Sequence, residues 1–368
     1  MSERPDSIRF DRTAFVEALL PPLLALLIAL VLGDLLILAF GQSPAMVYRL
    51  LLDGTWGNPY GLGQVLYKAT TLTFTGLAVA LALRAGLFNI GAESQLAAGA
   101  FAAALVGLAL PHGLAWPIAV PLCLIAAATA GGSVGAVAGV LKARFGAHEV
   151  IVTIMLNFIV LALLNWAVAA KLHEPETLHT PAIKSGGLAR LADTFPSLHG
   201  SAANWTIVVA GLAALAVAVL LFRSRFGYDL RAVGLQPDAA EAGGIRVQAT
   251  WISAMALSGA LAGLGGSNFV LGYKGYYEDG LAGGSGFMGI AVALVGRNHP
   301  LGVPIAALLF ATLSQGGLAI HAAVPKQLVE VLQATVILAM AATAPEVRRL
   351  LRSSLKPRHS KGETEGGA

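Results

Sequence analysis

The sequence predicts an all-α polytopic membrane protein with about ten transmembrane helices. Apolar residues make up 56% of the 368 residues, charged residues only 12%, and the mean hydropathy is +0.73. A soluble domain of this size does not bury so much apolar surface, which argues against a cytosolic globular enzyme. The composition is also the opposite of that of a disordered chain. Cys123 is the one cysteine, so no intrachain disulfide forms.

Nine apolar runs are long enough to cross, as helices, a bilayer core about 30 Å thick. They are residues 18–40, 65–83, 88–110, 115–141, 148–170, 204–222, 248–272, 300–320 and 327–343. A tenth run, 283–296, is shorter and predicts a short or broken helix lined by protein. We do not expect the first run to be a cleaved signal peptide, because it is too long and no small-residue cleavage site follows it.

The placement of positive charges predicts the orientation. If the N-terminus is cytoplasmic and all ten runs cross, most of the 24 Lys and Arg residues lie inside, and the remainder, Lys68 among them, lie outside. This excess predicts that both termini are cytoplasmic. The predicted organisation is a cytoplasmic N-terminal segment (1–17), a transmembrane domain (18–345) with an external loop (171–203) and a cytoplasmic loop (223–247), and a basic cytoplasmic tail (346–368).

Small residues at every fourth position in two of the spans predict close helix packing. Gly131, Gly135 and Gly139 lie on one helix face, and Gly259 and Gly263 are spaced in the same way in a later span. Small residues allow helix backbones to approach closely in lipid, where the hydrophobic effect does not drive helix association. The pattern therefore predicts a tightly packed bundle.

A polar stripe runs along one predicted span. Glu149, Thr153 and Asn157 are four residues apart and share a helix face, and Asn157 lies about 12 Å deeper than Glu149. An unpaired amide at that depth costs several kcal/mol, so Asn157 must face protein or water. Two interpretations stay open, a translocation pathway and hydrogen bonding between helices.

Three further polar residues are candidates for the pathway. Asn89 and Glu93 are expected to share a helix face, with Glu93 about 8 Å into its span, where we expect a gating or structural role. Asn268 lies near Tyr273, Tyr276 and Tyr277 at the expected outer end of another span. These tyrosines indicate either anchoring at the membrane interface or a vestibule that receives substrate.

The cytoplasmic loop contains the signals of a short helix over 237–242. Pro237 suits the first turn, Asp238 complements the positive end of the helix dipole, and Gly243 and Gly244 suit its end. So short a helix needs packing to hold it. The prediction is an exposed knob for a partner protein, and the alternative is an ordinary surface loop.

The motifs that would indicate ATP binding or zinc chemistry on this chain are absent. The sequence has no G-x-x-x-x-G-K-[ST] motif for ATP and no H-E-x-x-H motif for zinc. Ser285, flanked by glycines, resembles the nucleophile of an intramembrane serine protease, with His299 or His321 as the base. This remains a minor alternative, because a glycine-rich helix start explains the same residues.

Three segments resemble the permease subunits of bacterial ABC importers, in the branch that serves nucleosides and simple sugars. They are GLFNIGAESQLAAGAFAAAL (86–105), HEVIVTIMLNFIVLALLNW (148–166) and GYDLRAVGLQPDAAEAGGI (227–245). The resemblance implies that 237–242 is the coupling helix that docks on a separate ATPase. Asp238, Glu241 and Gly243 match its motif region, and Pro237 and Ala242 complete the segment.

The resemblance also implies the partners. A separate subunit binds ATP and Mg²⁺, a second permease chain completes the pore, and an extracytoplasmic binding protein delivers the substrate. This chain is then a non-enzymatic subunit of the inner membrane, with no cofactor of its own and no nucleic-acid partner. We expect nucleoside import by alternating access, with a simple-sugar permease as the alternative. An ion-coupled secondary transporter is a further alternative, and the knob argues against it.

Overall fold

The computed structural model describes residues 12–321, 325, 327 and 329–339. The predicted tail at 346–368 and the first eleven residues of the N-terminal segment lie outside the described residues. Contacts divide the chain into one unit over 42–329 and a second formed by 1–41 and 330–368. Within the described residues the chain is helical, and its only β-pairs are isolated bridges, His179–Glu278 and Arg190–Asn204.

The helices follow the predicted runs closely. They are α1 (Arg12–Ala39), α2 (Pro44–Asp53), α3 (Pro59–Arg84), α4 (Ala92–Ala109), α5 (Trp116–Phe145), α6 (Glu149–Ala167), α7 (Leu191–Thr194), α8 (Thr206–Arg223), α9 (Arg225–Leu235), α10 (Pro237–Ala242), α11 (Val247–Phe269), α12 (Ser285–Val295), α13 (Gly302–Ile320) and α14 (Val329–Ala339). Helices α6 and α11 are extended by π-helical turns at Val168–Leu172 and Val270–Lys274. A 3₁₀ turn covers Pro196–Leu198.

Seven described helices are long and apolar enough to cross a membrane: α3, α4, α5, α6, α8, α11 and α13, with α6 and α11 counted to the ends of their π-helical turns. The count is eight if residues 26–39 and 44–53 are taken together as one broken span. Helices α12 and α14 are apolar but shorter. Each of the ten predicted runs therefore contains a helix, and the prediction of a polytopic helical membrane protein is confirmed.

Two predicted boundaries were wrong. Helix α3 begins at Pro59, six residues before the predicted run, because Asn58 caps it by accepting a hydrogen bond from the Gly61 N–H at 2.6 Å. Lys68, which we expected in an external segment, therefore lies inside a spanning helix. Helix α4 begins at Ala92 rather than at residue 88, since the preceding residues are not helical.

Helices α3 and α11 are the most enclosed spans. Helix α3 packs against α8, α11, α12 and α13, and α11 packs against α3, α4 and α5. The predicted close packing at these glycines is confirmed, because a Cβ atom at Gly131 would overlap the carbonyl oxygen of Gly259, and one at Gly135 would overlap that of Met255. Close backbone approach thus joins α5 to α11.

Residues with a left-handed backbone conformation flank α12 and explain why it is short. Gly283 and Gly284, with φ of +53° and +82°, precede its first residue. Arg297 and Asn298 follow it with φ of +57° and +52°. Neither end continues as a helix, so α12 has 11 residues and is about 16 Å long, roughly half the thickness of a bilayer core.

Candidate functional site

The chain between α3 and α4 is a buried, non-helical segment inside the bundle. Gly86, with φ of +73°, ends the turn after α3, and residues 87–90 have no regular structure. Asn89 is therefore not on a helix, and the expectation that it shares a helix face with Glu93 was wrong. A buried backbone without helical hydrogen bonds needs other partners, particularly in a membrane.

Helix α6 supplies those partners. Asn157 donates through Nδ2 to the Ile90 carbonyl oxygen at 3.0 Å, and its Oδ1 accepts from the Ser94 N–H at 3.1 Å. Thr153 Oγ1 accepts from the Ile90 N–H at 3.3 Å. Both side chains lie on one face of α6, as predicted, and both are buried. These contacts match the hydrogen-bonding interpretation, and a role in the pathway stays a prediction.

Asn89 links three other helices. Its amide pairs with that of Gln95 at 2.8 and 3.1 Å and donates to Ser258 Oγ at 2.8 Å. Ser258 in turn donates to the Ala78 carbonyl oxygen at 2.6 Å. Asn89 also accepts from the Gly91 N–H at 2.9 Å. The result is a buried polar network that fixes the break between α3 and α4 against α11.

Glu93 binds the N-terminus of α12. Its two carboxylate oxygens accept from the Gly284 N–H at 2.8 Å and the Gly286 N–H at 2.7 Å, and the residue is only 6% exposed. None of the three ion pairs found in the described residues includes Glu93. The carboxylate therefore lies at the positive end of the α12 dipole, where a negative group is stabilising.

Contacts place the start of α12 deep in the bundle. Thr75 Oγ1 donates to the Ser285 carbonyl oxygen at 3.1 Å, and Thr75 lies nine residues, or roughly 13 Å, before the end of α3. Since α3 is 26 residues long, this level is near the middle of a spanning helix. Two helices, α4 and α12, thus begin inside the bundle at the same carboxylate, as the prediction of a short or broken span allows.

Asn268 is enclosed rather than open to a vestibule. Its Nδ2 donates to the Tyr67 carbonyl oxygen at 3.0 Å and to Thr71 Oγ1 at 2.8 Å, and its Oδ1 accepts from Asn204 at 2.8 Å. The residue is fully buried. Asn268 therefore joins α3 and α11 to the segment before α8, and its role in a pathway stays a prediction.

The neighbouring tyrosines have different environments. Tyr277 is buried against Phe101 with ring centroids 5.2 Å apart, so it is not an interface anchor. Tyr273 is partly exposed, lies 5.3 Å from the Tyr67 ring, and is covered by the Arg190 guanidinium at 5.5 Å. Tyr67 and Arg190 were not predicted to lie here, because both are distant from Tyr273 in sequence.

The predicted short helix is α10, which spans Pro237–Ala242. Ala240 is buried against Val233 and Val247, whereas Asp238 and Glu241 are exposed. The exposed set also includes Ala242 and Gly243, with Pro237 half-buried. Packing of one alanine thus holds a helix too short to be stable alone, and leaves its charged side free.

A groove of about 730 Å³ lies beside α10. Helices α9 and α10 and the first turns of α11 line it, with Tyr228, Asp229, Leu235 and Arg246 among its residues. Leu235 is 85% exposed. Sequence reasoning missed α9, although Ser224 caps it by accepting from the Gly227 N–H at 3.0 Å.

A cationic and aromatic cluster joins α3, α8 and α9 to the turn after α12. The guanidinium groups of Arg84 and Arg231 lie 5.9 and 5.5 Å from the Phe222 ring, on which His299 is stacked at 5.4 Å. Burial, and then the Arg84 charge, lower the pKa of His299. His299 lies beyond the C-terminal end of α12 and Ser285 begins that helix, so His299 is not placed as the base of a serine protease.

In the part of the chain that the structure describes, no group of three or more His, Cys, Asp or Glu side chains is arranged to hold a metal ion.

Comparison with known proteins identifies similar chains. The family model described as "Branched-chain amino acid transport system / permease component" matches residues 61–341. The guanosine ABC transporter permease protein NupP of Bacillus subtilis is 40% identical over 338 residues, which are 88% of this chain and 93% of that protein. The nucleoside ABC transporter permease protein NupB of Lactococcus lactis is 33% identical, over 86% of this chain and 89% of its own length.

A third similar protein has a different name. The glucose ABC transporter permease protein TsgB13 of Haloferax volcanii is 33% identical over 332 residues, which are 86% of this chain and 85% of that protein. No solved structure matches the chain.

Proposed function

Since the chain belongs to the permease component family of branched-chain amino acid transport systems, we propose that it is the membrane subunit of an ABC importer for nucleosides. The assignment of the substrate rests on the similarity to the guanosine and nucleoside permeases, which extends over more than four fifths of this chain. The polytopic helical structure is what such a subunit requires.

The proposed topology has ten crossings with both termini in the cytoplasm. The ten helices that fall on the ten apolar runs support it, with α12 and α14 as the short ones. Positive charge supports the orientation, because Arg84, Arg223, Arg231 and Arg297 then lie inside. The correction to α3 strengthens this assignment, since it removes Lys68 from the external segments. The proposed location is the inner membrane.

The coupling site in this proposal is α10. Its exposed residues form a knob that a groove in an ATPase subunit can grip, and Ala240 anchors the knob to α9 and α11. Closure of the ATPase dimer on ATP and Mg²⁺ then moves α10, and α11 transmits that movement to the bundle. The chain itself performs no chemistry.

Two other proteins complete the proposed importer. A second permease chain, identical or related to this one, forms the other half of the pore, and an extracytoplasmic binding protein delivers the nucleoside. The importer alternates between outward-open and inward-open states, and each ligand shifts that equilibrium only by its difference in affinity for the two states.

A simple-sugar permease is the second candidate, because the similar Haloferax protein is named a glucose permease. Ribose is part of every nucleoside, so polar residues suited to sugar hydroxyl groups do not separate the two substrates. The difference in identity, 40% against 33%, favours nucleosides.

Deletion of the gene in its own organism tests the substrate. We expect uptake of radiolabelled guanosine and uridine at low solute concentration to fall, because the importer then lacks one of its membrane subunits. Uptake of glucose and ribose should stay at the wild-type rate, and a plasmid copy of the gene should restore nucleoside uptake. Loss of sugar uptake with intact nucleoside uptake would establish the sugar alternative instead.

A further inference from the structure

Lys68 is a charged side chain inside a spanning helix. It lies nine residues after Pro59, roughly 13 Å below the end of α3 that the proposed topology places outside. The residue is half-buried. An ionisable side chain at membrane depth is costly, and such residues generally face a bundle interior or a water-filled path.

The ammonium group of Lys68 has an incomplete set of partners. Its Nζ donates to Ser314 Oγ on α13 at 3.2 Å, and no carboxylate pairs with it among the residues that the structure describes. An ammonium has three donors, so this contact leaves two of them for other acceptors.

Two lysines near the ends of spans are paired with carboxylates. Lys142 lies 2.9 Å from the Glu149 carboxylate, and Lys274 lies 2.9 Å from that of Glu278. Those contacts neutralise the positive charge where the helices leave the membrane. Lys68 lies deeper in its span, and a hydroxyl group, that of Ser314, is the partner of its ammonium among the described residues.

We propose that Lys68 is a substrate-recognition residue in the outer part of the pathway, where it donates a hydrogen bond to a carbonyl oxygen of the nucleobase. Ser314 positions the ammonium. The inference rests on the proposed function and topology. Nucleosides are uncharged, so an ammonium recognises them through acceptor atoms, and the exocyclic carbonyl oxygens of guanine and uracil are strong acceptors. Adenine has no carbonyl group and carries an amino donor at the corresponding position.

The test replaces Lys68 by Met, which has a similar length but no donor. Uptake of guanosine and adenosine is measured in cells in which the variant replaces the wild-type chain. The maximal rate is compared, because the binding protein sets the concentration dependence. A hydrogen bond to a charged group contributes about 1.5–3 kcal/mol, so we expect guanosine uptake to fall about tenfold or more. Adenosine uptake should change less than twofold.

Two matched variants accompany Lys68→Met. Ser314→Ala keeps the Lys68 ammonium but removes the hydroxyl group that positions it. It should reduce guanosine uptake by a smaller factor than Lys68→Met does, and should again affect guanosine more than adenosine. Trp56→Phe removes the bond from the Trp56 indole N–H to Thr312 Oγ1, 3.1 Å long and also on α13, and should leave both rates unchanged. Immunoblots of membrane fractions normalise the rates to the amount of protein.

Any other outcome overturns the inference. Equal losses for guanosine and adenosine would assign Lys68 to the ribose or to packing. Unchanged rates would show that its side chain only extends to the membrane surface. If Lys68→Met does not reach the membrane, Ser314→Ala decides the question, since equal rates for the two nucleosides in that variant contradict the assignment. Failure of the wild-type chain to carry any nucleoside would overturn the proposed function itself.

Discussion

Reversing the charge of Glu241 and adding a side chain at Gly243 is expected to abolish uptake and leave the membrane domain folded. Both residues are exposed on or beside α10, and a Cβ atom at Gly243 would lie 3.3 Å from the Ala240 carbonyl oxygen, a close contact that needs a shift of only a few tenths of an ångström. Substitutions at exposed sites usually change stability by about 0.5 kcal/mol or less. A mismatched charge in a protein interface costs several kcal/mol.

The variant is Glu241→Arg with Gly243→Gln, measured in the importer reconstituted into proteoliposomes. We expect nucleoside uptake to fall at least about tenfold, because 1.4 kcal/mol of lost docking energy is already a factor of ten. The melting temperature of the membrane subunit should not change. Gln248→Arg is the control, since it adds a positive charge at another exposed position at the start of α11. Wild-type uptake by the double variant would remove α10 from the coupling mechanism.

Glu93→Leu is expected to have the largest effect on folding. The substitution leaves the N–H groups of Gly284 and Gly286 without acceptors in a buried site, and each unsatisfied group costs about 1–3 kcal/mol. Loss of the negative charge at the α12 N-terminus adds to this cost. We expect the Leu variant to be depleted from the membrane and to have a lower melting temperature in detergent.

Conservative variants separate the contributions at Glu93. Glu93→Gln keeps the shape and one acceptor, so its melting temperature should fall between those of the wild type and the Leu variant. Glu278→Gln is the matched control, because that carboxylate pairs with Lys274 and lies outside the helices. If Glu93→Leu accumulates in the membrane to the wild-type amount and has the wild-type melting temperature, α12 does not depend on this contact.

Features encoded by adjacent residues were predictable from the sequence. The limits of α10 follow from Pro237 at its start and Gly243 after its end, and the structure gives the same limits. The glycines of α5 and α11 were likewise predictable, because a small-residue repeat has one main use in lipid. In both cases the signal lies in neighbouring residues of one segment, although the glycines of α5 and α11 that meet are more than a hundred positions apart.

The partners of buried polar residues were not predictable. The stripe on α6 was visible, but not that Thr153 and Asn157 bind the backbone of residue 90, more than sixty positions away. Apolarity alone also hid the break before α4, because Leu87, Phe88 and Ile90 continue an apolar run without forming a helix. The Ile90 backbone is satisfied by the distant side chains of Thr153 and Asn157, and a single sequence does not show those contacts.

The depth of Lys68 in the membrane was not predicted either, because the start of its helix was misplaced. A hydropathy run that begins at residue 65 places this lysine near a membrane boundary, whereas Asn58 and Pro59 begin the helix earlier. The capping signal was present in the sequence, and it outweighs the lower apolar content of residues 59–64. Reading caps before hydropathy would have placed the charge inside the span.

Uptake into proteoliposomes tests most directly the claim that this chain is a conduit driven from the cytoplasmic side. The membrane subunits are reconstituted with the binding protein and radiolabelled guanosine, with and without the ATPase subunit, and Mg-ATP is supplied on the ATPase side. Guanosine should concentrate inside only when both the ATPase and ATP are present. Accumulation against a gradient without the ATPase, driven by an ion gradient or by nothing added, would contradict the account.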